Sequence, residues 1–110
     1  MAISDERLRE LFSRRLRDLR LAAGISQREL GRRIGLSEET VSSRVTRYEK
    51  GSSEPDFGTA NKLAKELGVP LAYLVADTEV LAEIVAFVST LSPSEQKKLA
   101  QQLREQATKA

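Results

Sequence analysis

The chain has 110 residues, 40% hydrophobic and 31% charged, with no Cys, His or Trp. That length suits one compact domain with a small appendage. The missing Cys and His exclude disulfides, thiol chemistry, the common zinc sites and His-based acid–base or triad catalysis. A metal would need an all-oxygen site and no loop has calcium-loop spacing, so no metal or cofactor is expected. The N-terminal MAISDERLRE is too polar for a signal peptide. The longest charge-free stretch, Ile84–Ser94, is 11 residues and cannot span a bilayer as a helix. The expectation is a soluble, cytoplasmic protein that does not meet a membrane.

Net charge is only +2, but it is unevenly spread. Residues 1–50 hold 12 basic and 8 acidic groups, a net +4, whereas residues 51–110 hold 6 and 8, a net −2. Eleven of the 12 basic residues in the first half are Arg, the side chain best suited to bidentate phosphate and guanine contacts. A solvated helix surface would look the same, so charge alone does not decide function.

Every segment reads as helix. Leu8, Leu11, Phe12, Leu16, Leu19 and Ala23 form one apolar stripe of a first helix, about 5–23, with Ser4 as N-cap and Gly24 as stop. A second, short helix opens with a capping box, Ser26 and Glu29, flanked by Ile25 and Leu30 as a hydrophobic staple, and stops at Gly35. Leu36 and Val41 form a second staple around N-cap Ser37, opening a third helix that ends at Gly51. Val41, Val45 and Tyr48 fall on its core side. At ~100° per residue the opposite face carries Glu39, Ser43, Thr46, Arg47 and Lys50, with Thr40 and Ser42 at its edges.

Pro55 and Asp56 signal a fourth helix bearing Phe57, Ala60, Leu63, Ala64 and Leu67, closed by Gly68; Pro70 starts a short fifth. The pattern then changes. Thr78–Thr90 carries an apolar arc of ~160° made by Val80, Leu81, Ile84, Val85, Phe87 and Val88. Ser92-Pro93-x-Glu95 then combines a capping box with Pro at N1 and opens a last helix with Leu99 and Leu103. The fold class is all-α, with a five-helix domain over 1–76 and two C-terminal helices over 77–110.

The two-residue link Gly35-Leu36 between short stapled helices makes them cross sharply. Residues Arg15–Ala76 resemble the DNA-binding domain of lambdoid phage repressors and Cro proteins, the xenobiotic-response-element type of helix-turn-helix. The resemblance is carried by Arg15-Leu-Arg-Asp-Leu-Arg20, Gly24-Ile-Ser-Gln-Arg-Glu-Leu30, Gly35-Leu-Ser37, Tyr48-Glu-Lys-Gly51, Pro55 and Leu63-Ala-Lys-Glu-Leu-Gly-Val69. Two departures stand out. Ser37 to Glu49 spans twelve positions where the common pattern has eight, so about one turn of helix is added, as in a longer-helix branch of the family. Gly31 stands where the family usually has Ala; both permit close helix packing.

The resemblance implies a compact repressor-like domain whose recognition helix, about 38–50, enters the major groove. It implies that Gln27 binds a DNA phosphate, with Arg28 beside it, and that Ser37, Glu38, Glu39 and Thr40 enter the groove. Glu can accept from cytosine N4, but acidic residues in a first turn also simply complement the helix dipole, and both readings stand for Glu38. Ser43 and Arg47 lie deeper on the outward face, Arg47 being the best candidate for guanine or phosphate. Thr46, Lys50 and Arg44 are candidate phosphate groups, Arg44 alternatively bridging internal carboxylates. By the same resemblance Arg20 pairs with Glu49, locking the first and third helices.

For the C-terminal helices two readings remain. They either pack back on helices one and five, or form an isologous homodimer seam through Val80, Leu81, Ile84, Val85, Phe87, Val88, Leu91, Leu99 and Leu103. The sequence therefore reads as a non-enzymatic, dimeric regulator of transcription, more a repressor than an activator, that binds a palindromic operator in double-stranded DNA and is nucleoid-associated when bound. The alternative is an antitoxin-like protein whose C-terminal helices hold a protein partner, with DNA binding for autoregulation.

Overall fold

A computed structural model describes residues 3–109, apart from the side chain of Ser42. It is all-helical: α1 (Asp5–Ala22), α2 (Gln27–Arg33), α3 (Val41–Lys50), α4 (Phe57–Glu66), α5 (Leu71–Val75), α6 (Glu79–Ser89) and α7 (Pro93–Lys109). Capping chemistry sets most of these starts. Ser4 Oγ accepts from the Arg7 N–H at 3.1 Å, Ser26 Oγ from Glu29 at 3.0 Å, Asp56 Oδ1 from Thr59 at 2.7 Å and Thr78 Oγ1 from Leu81 at 3.0 Å. The α7 box is reciprocal, Glu95 also accepting from the Ser92 N–H at 2.9 Å. The α2 box is only half formed, because Glu29 turns towards Arg33 instead. That Thr59 N–H bond holds the Asp56 carboxyl below its usual pKa.

The core is the meeting of five helices. Phe12 and Leu16 of α1, Leu30 of α2 with Ile34 just beyond it, Val45 and Tyr48 of α3, Ala60, Leu63 and Ala64 of α4, and Leu74 of α5 close on one another. The stripes read from periodicity are the buried ones, and Val41, Val45 and Tyr48 do face inward.

The third helix starts later than the caps indicate. Ser37, Glu38 and Glu39 were expected inside or at the edge of a helix over about 38–50, but α3 begins at Val41 and Thr40 makes no side-chain cap bond. Residues 38–40 form a turn. The Ser37 hydroxyl is spent on Thr40 Oγ1 at 2.9 Å, and Glu38 is drawn to Arg28 and Arg32 of α2. The extra residues lengthen the link ahead of the helix rather than the helix itself. These non-local partners outcompete the local capping signal.

Gly31 is more constrained than the sequence indicated. A Cβ there would stand 2.2 Å from Val41 Cγ2 and 2.9 Å from the Val41 carbonyl oxygen. Alanine therefore does not fit where glycine does.

Arg15 ties α1 to the far corner of the fold. It is 4% exposed, and its guanidinium donates to the carbonyls of Tyr73 (3.2 Å), Leu74 (3.3 Å), Ala76 (2.5 Å) and Thr78 (3.2 Å). It thus caps the C-terminus of α5 and holds the link into α6. Burial lowers its pKa, but an arginine keeps its charge regardless.

Beyond that corner the chain extends. Helix α6 packs on α5, with Ala82 3% exposed, and Arg14 pairs with Glu79 at its start. Gln96 Nε2 donates to the Val88 carbonyl at 2.9 Å, joining α7 to the end of α6. No described residue of α7 is buried. The extents are 56 × 32 × 22 Å and the radius of gyration 16.1 Å, against about 13 Å for a compact chain of this length.

Gly31→Ala is expected to destabilise the fold by about 1–3 kcal/mol through overpacking, outweighing a helix-propensity gain of about 1 kcal/mol. Gly58→Ala, whose Cβ would meet only Asp56 Oδ1 at 3.5 Å, is expected to stabilise by about 0.4–1 kcal/mol. Urea denaturation of both variants checks this; a Gly31→Ala chain as stable as the parent refutes the close approach.

Candidate nucleic-acid interface

One carboxylate positions α3. Glu49, with a side chain 3% exposed, accepts from Arg20 Nε at 2.5 Å, Arg20 Nη2 at 3.0 Å and Gln27 Nε2 at 3.0 Å. Gln27 Oε1 in turn accepts from Thr46 Oγ1 at 2.6 Å. Arg20 also donates to the Ile25 carbonyl at 2.9 Å, in the link between α1 and α2. The network therefore spans α1, α2 and α3. Ser13 of α1 adds a bond to the Tyr48 carbonyl at 2.7 Å. The Arg20–Glu49 pair has the geometry the sequence resemblance implied. Gln27 has a different setting from the open side chain expected, since both ends of its amide are occupied within the protein.

With Val41, Val45 and Tyr48 held inward, α3 presents Ser43, Arg47 and Lys50 outward, and all three are exposed. Ser43 Oγ donates to the Thr40 carbonyl at 3.2 Å. Thr46 is half-buried and turned to Gln27. Among the described residues the side chains of Arg47 and Lys50 have no ion pair. Arg44 is half-buried; its Nη2 donates to the Tyr48 hydroxyl at 2.9 Å, and its guanidinium lies 6.0 Å from that ring's centre. Its internal partner is a phenol, not the carboxylate considered from sequence.

Most of the surrounding arginines are already neutralised. Arg7 pairs with Glu10, Arg9 with Glu54, Arg14 with Glu79, and Arg33 lies 3.8 Å from Glu29. Arg28 and Arg32 share Glu38 at 2.8 and 2.9 Å. The hydrogen bond from Arg32 holds the Glu38 carboxyl below its usual pKa. Glu39 is exposed, and Ser37 and Thr40 are bonded to each other. The structure thus brings together Arg28, Glu38, Glu39, Ser43, Arg47 and Lys50 around the outward side of α2 and α3. It turns Gln27, Thr46 and Arg44 towards the protein.

The C-terminal residues divide by face. Val80 and Phe87 are 67% exposed and Ile84 is 52% exposed. Leu81 and Leu103 are also exposed, whereas Val85, Val88, Leu91 and Leu99 are half-buried. At ~100° per residue Val80, Ile84 and Phe87 lie opposite Ala82. Helix α6 therefore meets the body through its alanine edge and turns its largest apolar residues away.

Sequence reasoning gave no role to Arg15, Ser13 or Arg32. For Arg15 a signal exists, since it falls on the apolar stripe between Phe12 and Leu19, where a charged residue must find buried partners. Arg32 has only an i, i+4 relation to Arg28, which fixes no partner. Among the described residues no group of three or more acidic side chains could hold a metal ion, and no helix is long and apolar enough to cross a membrane.

Removing Glu49 strands a buried guanidinium and frees the Gln27 amide. Glu49→Ala is expected to cost about 3–5 kcal/mol, read as a large fall in Tm. A thermal melt matching the parent's would show that the pair does not lock the helices.

The chain is 42% identical over 69 residues to the cryptic phage CTXphi transcriptional repressor RstR of Vibrio cholerae, covering 63% of this chain and 59% of that protein. It is 32% identical over 68 residues to the SPbeta prophage-derived uncharacterized HTH-type transcriptional regulator YonR of Bacillus subtilis (strain 168), covering 62% and 59%. The matched region thus spans about three-fifths of the length of these curated relatives. The crystal structure of transcriptional regulator BswR is similar over 84% of this chain and 92% of that one, with a TM-score of 0.73 and 36% identity. Residues 16–74, the part that builds the core and the outward face of α3, match the helix-turn-helix family model, and the chain belongs to the Cro/C1-type helix-turn-helix family.

Proposed function

We propose that this protein is a sequence-specific, double-stranded-DNA-binding regulator of transcription, acting as a repressor, with α3 as the helix that enters the major groove. One observation carries the reading: α3 is locked from behind by buried bonds, while Ser43, Arg47 and Lys50 stand outward and the two cations have no ion pair among the described residues. A rigid helix with free donors on its exposed face is what base-edge reading requires. Arg47 takes a guanine or phosphate, Lys50 a phosphate, and Ser43 a base edge or phosphate. Gln27 and Thr46 act from behind α3, and Glu39 lines the approach. The printed description of the Vibrio cholerae relative as a transcriptional repressor supports the direction of regulation.

The division of labour follows the chain. Residues 1–76 read DNA, and residues 77–110 join two copies through the face bearing Val80, Ile84 and Phe87. Two copies present two α3 helices to half-sites one helical turn apart, about 34 Å, and so select a palindrome. The work is cytoplasmic, on nucleoid DNA, and needs neither metal nor cofactor. An antitoxin-like role keeps the same DNA contacts but gives the α6 face to a different protein; the exposure of that face is compatible with it.

Selection of bound duplexes from a random library is expected to return an inverted repeat. On that duplex Arg47→Ala should weaken binding by about 1–3 kcal/mol and relax one base position. An equal loss on random DNA would assign Arg47 to phosphate. Replacing both Ile84 and Phe87 by Glu should give a folded monomer by sedimentation. A parent chain that sediments as a monomer would transfer the α6 face to a heterologous partner.

A further inference from the structure

Arg28, Glu38 and Arg32 form a charge arrangement that the contacts assigned above leave unused. The two arginines stand one turn apart on α2, their side chains 54% and 52% exposed. Each donates to a different oxygen of the Glu38 carboxylate, Arg28 Nη2 to Oε2 and Arg32 Nε to Oε1. One negative charge thus serves two positive ones, leaving the trio with a net positive charge. Glu38 sits in the turn ahead of α3, where the sequence Ser37-Glu-Glu-Thr40 favours a helical first turn that the structure does not form. The carboxylate is therefore held in place by α2 against the preference of its own segment. Exposed ion pairs of this kind contribute little stability and exchange readily.

We propose that Arg28 and Arg32 constitute a second phosphodiester-binding site beside α3, which Glu38 occupies as a built-in counter-ion until a DNA phosphate displaces it. The proposal rests on the DNA-binding reading above. Its chemistry is an exchange of one anion for another on the same two guanidinium forks, and a phosphate suits those forks as well as a carboxylate does. Arg32, which has no other acidic partner within bonding distance among the described residues, becomes a DNA-binding residue. Glu38 becomes the group that sets how many phosphates the free protein can engage.

The test compares full-length parent, Glu38→Gln, and Glu38→Gln combined with Arg28→Ala and Arg32→Ala. Each is titrated onto a random-sequence 24-bp duplex over a series of KCl concentrations. Glu38→Gln is expected to bind roughly tenfold more tightly and to steepen the slope of log K against log[KCl] by about one to two units, near 0.9 per added phosphate. The gain must disappear in the triple variant. Parent-like binding by Glu38→Gln, or a gain that survives loss of both arginines, overturns the proposal. In the unsubstituted chain the Arg28 and Arg32 Nε–H resonances should shift when duplex is added, and resonances that stay fixed overturn it without recourse to a variant. A parent that binds neither random nor library-selected duplex fails the DNA reading itself, and the latch with it.

Discussion

The fold depends on a single buried carboxylate. Glu49 sits near the end of α3 and takes three hydrogen bonds, two from α1 and one from α2. An apolar residue there could fill the space, and such replacements of buried ion pairs are often tolerated energetically. It could not fix the rotation of α3 about its own axis. Three directed bonds can, and rotation is what decides which side chains point outward. A turn of α3 by one residue, about 100°, would bring a different set of side chains to the surface. The lock thus lies upstream of everything the exposed face does.

The same logic explains how so many arginines coexist with a modest net charge. Arg15 and Arg20 are spent inside, one on carbonyl oxygens at the end of α5 and one on Glu49. Arg7, Arg9, Arg14 and Arg33 tie carboxylates on neighbouring segments or within their own helix. What remains without an ion pair on α3 is Arg47 and Lys50. A count over the first half of the chain overstates the charge offered to a polyanion and misplaces it. The surface potential that matters is set by which cations have no anion within reach, and that is a property of the fold.

The sequence made legible whatever is decided by neighbours along the chain. Caps at Ser4, Ser26 and Ser92, glycine stops at Gly24, Gly51 and Gly68, and the inward faces of α1, α3 and α4 all follow from spacing. The Arg20–Glu49 pair was legible through family resemblance, because 29 residues of separation leave no local trace. Misplaced features share one cause. The start of α3, the setting of Gln27 and the partner of Arg44 each depend on a side chain from elsewhere in space. Ser37 had every local mark of an N-cap, yet its hydroxyl and the adjacent Glu38 were claimed by Thr40, Arg28 and Arg32. Gly31 fails the same way: its indispensability comes from Val41 across the helix crossing, not from its own helix.

The C-terminal helices show how a small residue can direct a large surface. Ala82 lets α6 lie close against α5, and close packing on that edge forces the opposite edge, with Val80, Ile84 and Phe87, away from the body. Had the bulky edge faced α5, the arm would have been a second layer of core with a polar exterior. Arg15 makes this choice of edge rigid, since its donors reach Ala76 and Thr78 on either side of the link and Arg14 holds Glu79 one residue on. The orientation of the exposed apolar edge is therefore coupled, through α1, to the helix that carries Arg20 and so to the rotation of α3. For two copies joined through that edge, the separation and tilt of their α3 helices would be set by this chain of buried arginine contacts rather than by a flexible linker. Half-site spacing is then a consequence of packing inside each subunit, and changes near Arg15 should alter which spacing is accepted before they alter which bases are read.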